Sequence, residues 1–302
     1  MTAFARRLAR RTLLLGGAGL ALLGCSPAGL LNGVSRIAGD GGVRHAVRGA
    51  AYAPDPRHKL DLYVPGDMLA GSRLPVVIFF YGGGWVDGAR GDYAFAGRAF
   101  AAQGFVAVVA DYRLVPQVRF PAFIEDGALA VKWARDNVAL YGGDPAQINV
   151  AGHSAGAYIA AMLALDRHYL TAIGVDPTTI RAAALLSGPY DFYPFTDQRS
   201  RDALGAWPRP AETQPISFAR ADAPPMLLMH GTADTVVRPY NSKQLATKLT
   251  ALGAPVELRL YPDKSHIDTI KSLSPAFRGS TPALADSIAF LRRHAALPTS
   301  RR

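Results

Sequence analysis

The stretch INVAGHSAGAYIAAMLA, Ile148 to Ala164, decides the fold. It opens as a buried strand and closes as a helix of small residues, with Ser154 at the junction between Gly152 and Gly156. A serine so placed is the G-x-S-x-G elbow, a strand-to-helix turn tight enough that larger side chains at the glycines would clash. The turn exposes the serine hydroxyl, and the N-terminus of the following helix favours negative charge beside it. As a bare pattern GHSAG is common, so its weight comes from what stands on either side.

On both sides strand and helix alternate. KLDLYVP (Lys59–Pro65) alternates as a half-buried strand does, whereas LPVVIFFYGGGW (Leu74–Trp85) is a continuous apolar run ending in three glycines. Runs of that kind suit the middle of a parallel sheet covered on both faces. Further strands are expected at Phe105–Leu114, Ile180–Gly188, Pro224–Gly231 and Val256–Pro262. Helices are expected at Tyr93–Gly104, Pro121–Gly142, Asn241–Gly253 and Thr281–Ala295. The pattern predicts an α/β fold, a mainly parallel central sheet with helices on both faces. Right-handed crossovers would then place every strand C-terminus, and any site, along one edge. Residues 51–302 read as one catalytic domain. Pro189–Asp222 interrupts the alternation with Tyr190, Phe192, Tyr193, Phe195 and Trp207, and reads as a short cap-like excursion.

A serine hydroxyl needs a base, and the base needs an orienting group. After an elbow serine the acid and then the histidine follow in chain order. LLMHGTADTVV puts Asp234 just beyond one strand, and LRLYPDKSHID puts His266 just beyond the next. Of the seven histidines, His45 and His58 come too early, His168 precedes the acid and His294 lies in the last helix. His230 is expected to shape the Asp234 turn, and His153 fills the variable position of the elbow. Attack on an ester makes an oxyanion, and donors must already face it. The glycines of YGGGW offer the N–H groups of Gly83 and Gly84, joined by that of Ala155. Trp85 and Tyr158 are candidate walls of a substrate pocket.

The N-terminus reads as an address. Residues 1–24 have a basic start and an apolar run from Thr12 to Gly24, short of the roughly 20 residues of a membrane span. Arg10 and Arg11 ahead of apolar residues resemble the twin-arginine export signal. Leu22-Leu23-Gly24-Cys25 resembles the lipobox of bacterial lipoproteins, which implies acylation of Cys25, a tether over residues 25–50 and a membrane-anchored protein facing the periplasm or the cell exterior. Cys25 is the only cysteine, which excludes an intrachain disulfide framework and argues against a cysteine nucleophile or a multi-cysteine zinc site.

Composition narrows the classes further. Nearly half of the 302 residues are apolar, enough for a large core. The formal charge is +10, and setting aside the four arginines of the first 24 residues leaves +6. The remaining cations are dispersed with no basic stripe, so no nucleic-acid partner is expected. Neither G-x-G-x-x-G nor G-x-x-x-x-G-K is present, and no cofactor or metal is expected.

Five segments in this order, YGGGW, DYRLVPQVRFPAFIEDGALAVKWARDN, YGGDPAQINVAGHSAGAYIA, HGTADTVV and KSH, resemble the α/β-hydrolase carboxylesterases. The hormone-sensitive-lipase-like esterases and relatives such as kynurenine formamidase are the nearest groups. The resemblance covers about Tyr52 to Leu297. It implies a serine hydrolase with Ser154 as nucleophile, Asp234 as orienting acid and His266 as base, acting on a small ester. An aryl formamide, or a catalytically silent binding protein, is the alternative. Asp111, Arg113, Glu125 and Asp126 match bracing positions. Two positions depart from the pattern: Tyr81 stands where histidine usually precedes the glycines, and Ser265 where glycine usually precedes the histidine.

Overall fold

The computed structural model describes residues 29, 31–33 and 42–295. Cys25 and the export signal lie outside the described residues. Eight strands form one sheet in the order β1-β2-β4-β3-β5-β6-β7-β8. They are β1 (Val43–Ala51), β2 (Lys59–Pro65), β3 (Leu74–Phe80), β4 (Val106–Ala110), β5 (Gly143–His153), β6 (Ile180–Leu186), β7 (Met226–Gly231) and β8 (Val256–Tyr261). β2 runs antiparallel to both of its neighbours, and every other pairing is parallel.

The helices are α1 (Ala94–Ala101), α2 (Ala122–Asn137), α3 (Ala155–Leu165), α4 (His168–Thr171), α5 (Gln198–Leu204), α6 (Tyr240–Ala251), α7 (His266–Lys271) and α8 (Ala283–Ala295). α3 and α8 both pack on β6 without packing on each other, because they cover its two faces. Likewise α1 and α2 pack on β4, and α6, α7 and α8 on β7, so both strands are buried at every residue and could be written in largely apolar runs.

β1 is the difference from the sequence expectation. It falls in the stretch assigned to the tether, so the sheet begins at Val43 and not at residue 51. None of its nine residues is fully buried, and its register against β2 shifts twice. An edge strand that buries so little carries no strong period, and only its partner reveals it.

Registers across the parallel strands fix the site. Phe80 stands beside Gly152, His153 beside Leu186 and Gly231 beside Tyr261. The glycine loop, the elbow, the Asp234 turn and the His266 turn therefore leave the sheet along one edge.

Candidate active site

Ser154 sits between β5 and α3 with φ 54° and ψ −122°. Positive φ is unusual for a residue with a side chain and is held here by its surroundings. Its N–H donates to the Leu186 carbonyl at 2.9 Å, and its own carbonyl accepts from Tyr158 N–H at 3.0 Å, which starts α3. The flanking glycines are obligatory. A Cβ on Gly156 would stand 2.0 Å from the Phe80 carbonyl oxygen, and one on Gly152 would stand 2.5 Å from the Gly156 carbonyl. All eleven residues of α3 are buried, so the helix is clamped rather than laid on the surface. The Ala155 N–H is one of the unpaired donors of its first turn.

Asp234 and His266 meet directly. His266 Nδ1–H donates to Asp234 Oδ2 at 2.8 Å, which leaves Nε2 of the neutral ring unprotonated. Asp234 Oδ1 accepts from the N–H groups of Val236 and Val237, both at 2.9 Å. His230 Nε2 lies 3.2 Å from Oδ2 and donates to the Val237 carbonyl at 2.8 Å, while its Nδ1 meets Ser242 Oγ at 2.7 Å. Burial pushes the Asp234 carboxyl up, but the His230 and His266 rings and the backbone donors outweigh it and hold the group well below the usual carboxylate range. The residue is thus an anion in a site only 3% exposed. His230 shapes the turn, as its place in the sequence suggests.

His153 has a further role that its variable position in the elbow did not signal. Its Nε2–H reaches the His266 carbonyl oxygen at 3.1 Å, the rings lie 4.7 Å apart, and Thr269 Oγ donates to the same carbonyl at 3.2 Å. Two donors therefore grip the backbone of the base. Burial, then the neighbouring His266, lower the His153 pKa to about 3, so the ring is neutral. Ser265, in place of glycine, is bound through its N–H and its hydroxyl to Asp268 Oδ2, both at 2.7 Å, and opens α7.

The glycine loop leaves β3 beside the elbow. Gly83 has φ 141°, and a Cβ there would stand 2.1 Å from the Asp87 carbonyl oxygen. Its carbonyl accepts from Val86 and Asp87, both at 3.2 Å, which closes the turn. Tyr81 anchors the loop from beneath. Its hydroxyl donates to Asp111 Oδ1 and accepts from Arg57 Nη2, both at 2.9 Å, and the Tyr112 hydroxyl donates to the Tyr81 carbonyl at 2.9 Å. Arg90 also holds Asp111, while Asp126 is clasped by Arg113 and His58. Three of the four bracing positions act as expected. Glu125 is exposed on α2 and joins neither cluster.

A cavity of about 1380 Å³ opens over this edge and is lined by Gly83, Gly84, Trp85, Ser154, Ala155 and His266 among others. The cap supplies its far wall through Phe192, Tyr193 and Arg199. Trp85 lines it, stacked 5.9 Å from Phe123. Tyr158 does not. It is fully buried behind Trp85, its ring edge-on at 5.2 Å, and its hydroxyl donates to the Thr213 carbonyl at 2.8 Å. One helical turn after the elbow, Tyr158 points into the core and ties α3 to the cap. Among the described residues no cluster of acids and histidines is arranged to hold a metal.

An antiparallel second strand followed by a parallel run, with the site along the strand C-termini, makes this an α/β-hydrolase. Comparison with known proteins carries the assignment further: the BD-FAE family model matches residues 60–249, and the chain belongs to that family. It is 30% identical over 286 residues to a probable isoprenylcysteine α-carbonyl methylesterase of Oryza sativa subsp. japonica, covering 84% of this chain and 66% of the relative. It is 35% identical over 228 residues to the esterase LipC of Mycobacterium tuberculosis, covering 68% of this chain and 55% of that protein. The chain thus spans about two thirds or less of the curated relatives it matches. Among solved structures, apo Thermogutta terrifontis esterase 2 superposes with a TM-score of 0.70 at 27% identity, over 85% of this chain and 98% of that one.

Proposed function

We propose that the chain hydrolyses a small carboxylic ester through an acyl-enzyme on Ser154. The 2.8 Å hydrogen bond from His266 to Asp234, at a cavity that Ser154 also lines, is the observation that carries this reading. His266 Nε2 takes the Ser154 proton as Oγ attacks the ester carbonyl. The developing oxyanion is met by the N–H groups of Gly83, Gly84 and Ala155. The intermediate collapses, the C–O bond to the alcohol breaks, and His266 returns the proton to the departing oxygen. Water activated by the same ring then releases the acid and frees Ser154. Asp234 stays ionised throughout, holding the imidazole in the tautomer with Nε2 free and offsetting the charge the ring acquires. The esterase names of the relatives support the reaction class. The chain is also proposed to be exported and anchored to a bacterial membrane through acylated Cys25, on the strength of its lipobox-like ending.

Ser154→Ala should lower turnover of p-nitrophenyl acetate by on the order of 10⁵–10⁶-fold without changing the fold. It should also abolish labelling by a fluorophosphonate probe. A well-folded wild-type protein that neither labels nor turns over such esters would overturn the assignment. Incorporation of labelled palmitate that is lost in Cys25→Ala tests the anchor.

A further inference from the structure

Four large apolar side chains stand exposed at the mouth of the cavity: Tyr193 at 56%, Val236 at 72%, Tyr240 at 52% and Ile267 at 41%. They come from four separate segments, namely the cap, the Asp234 turn, the start of α6 and the first turn of α7. Only four other large apolar side chains among the described residues are comparably exposed, Leu69, Leu140, Leu252 and Phe277, and none of these lines the cavity. Water-facing apolar groups are thus concentrated on one rim, which marks a contact surface rather than chance exposure.

The described segment nearest the N-terminus reaches the same cavity. Leu31 lines the cavity and packs against the core. Asn32 fastens it there, donating to the Gly91 carbonyl at 2.7 Å and accepting from Arg98 at 2.6 Å. Cys25 lies six residues before Leu31. A fully extended chain covers about 20 Å over that span, which caps how far the Leu31 wall of the cavity can stand from a lipid attached at Cys25. Charge along the cavity lining is mixed, with Asp87, Asp92, Asp191 and Asp197 accompanied by Arg199 and Arg238. Apolar contact, not attraction to anionic headgroups, is therefore the force available.

We propose that this rim is a lipid-docking surface: the mouth rests on the bilayer that holds Cys25, and esters dissolved in that bilayer enter the cavity from it. The proposal rests on the anchoring reading above. Docking in this way buries the apolar rim in the interface and leaves the opposite edge of the sheet in water.

The test uses the full, natively acylated chain in phosphatidylcholine vesicles carrying a lipid-borne quencher. An environment-sensitive fluorophore is attached in Val236→Cys or, as a second rim position, Tyr193→Cys. The control is Leu140→Cys, which is 78% exposed at the far edge of the sheet. Rim labels should shift to the blue and be quenched severalfold while the control label behaves as in water, and raising the salt should change neither result. Protein that floats with vesicles but whose rim labels stay unquenched would refute the docking surface while leaving the anchor intact. Protein that does not float at all would refute the anchor and this proposal with it.

Discussion

Acid should destabilise this protein in part through one imidazole. His153 is 3% exposed, with Nε2–H on the His266 carbonyl and Nδ1 without a partner. Burial, and after it the neighbouring His266, lower its pKa to about 3. In the unfolded chain the same ring titrates near about 6.5. Between those values the unfolded state binds the extra proton, so the contribution to stability is intact above about pH 6.5 and is lost as pH falls toward about 3. At pH 5, about 1.5 units below the unfolded value, the loss relative to pH 8 is about 2 kcal/mol, taking 1.36 kcal/mol per unit. His153→Gln removes the titration, and because the ring is neutral in the folded protein the change adds no charge beside His266. Urea unfolding of both proteins, followed by tryptophan fluorescence at pH 8 and pH 5, isolates the effect, since every other titrating group is shared. The wild type should lose about 2 kcal/mol more than the variant between the two pH values. Equal losses would refute the account of His153 as a ring kept neutral by burial.

Asp234→Asn should lower kcat by on the order of 10⁴, because an amide facing the rings of His266 and His230 no longer enforces the tautomer that leaves Nε2 free; steady-state kinetics on p-nitrophenyl acetate checks this. Tyr81→Phe removes a buried hydroxyl shared by Asp111 and Arg57, and should cost about 1–3 kcal/mol in chemical denaturation. If the hydroxyl also steadies the glycine loop, kcat should fall while KM changes little. Gly156→Ala drives a methyl against the Phe80 carbonyl and should cost roughly 4 kcal/mol or more, seen as loss of soluble, folded protein on expression.

How far each feature was legible depended on whether its cause is local. The elbow could be read directly, because a turn that brings Gly152 and Gly156 against backbone must be written in glycine wherever it occurs. Asp234 and His266 were selected by chain order, since each follows a strand whose apolar run is plain, and the structure brings the two side chains into contact. The Tyr81 anchor was not legible locally, because its partners Asp111 and Arg57 come from separate parts of the chain. Tyr158 was misread because an aromatic one turn after the nucleophile can face either cavity or core, and only the direction of the helix settles which. β1 was missed because an edge strand buries too little to impose a pattern. His153 was passed over because its work is done on a carbonyl 113 residues away.

By itself, then, the sequence determined the alternation of buried strand and helix, the glycine geometry of the turn at Ser154, and the order in which acid and histidine follow. These are short-range consequences of burial and backbone sterics. Tertiary structure decided which side chains share the His266 carbonyl, where Leu31 lies, which aromatics face the cavity, and that four exposed apolar residues from four segments form one rim. Each depends on strands of distant sequence lying side by side in register, and no local pattern encodes that.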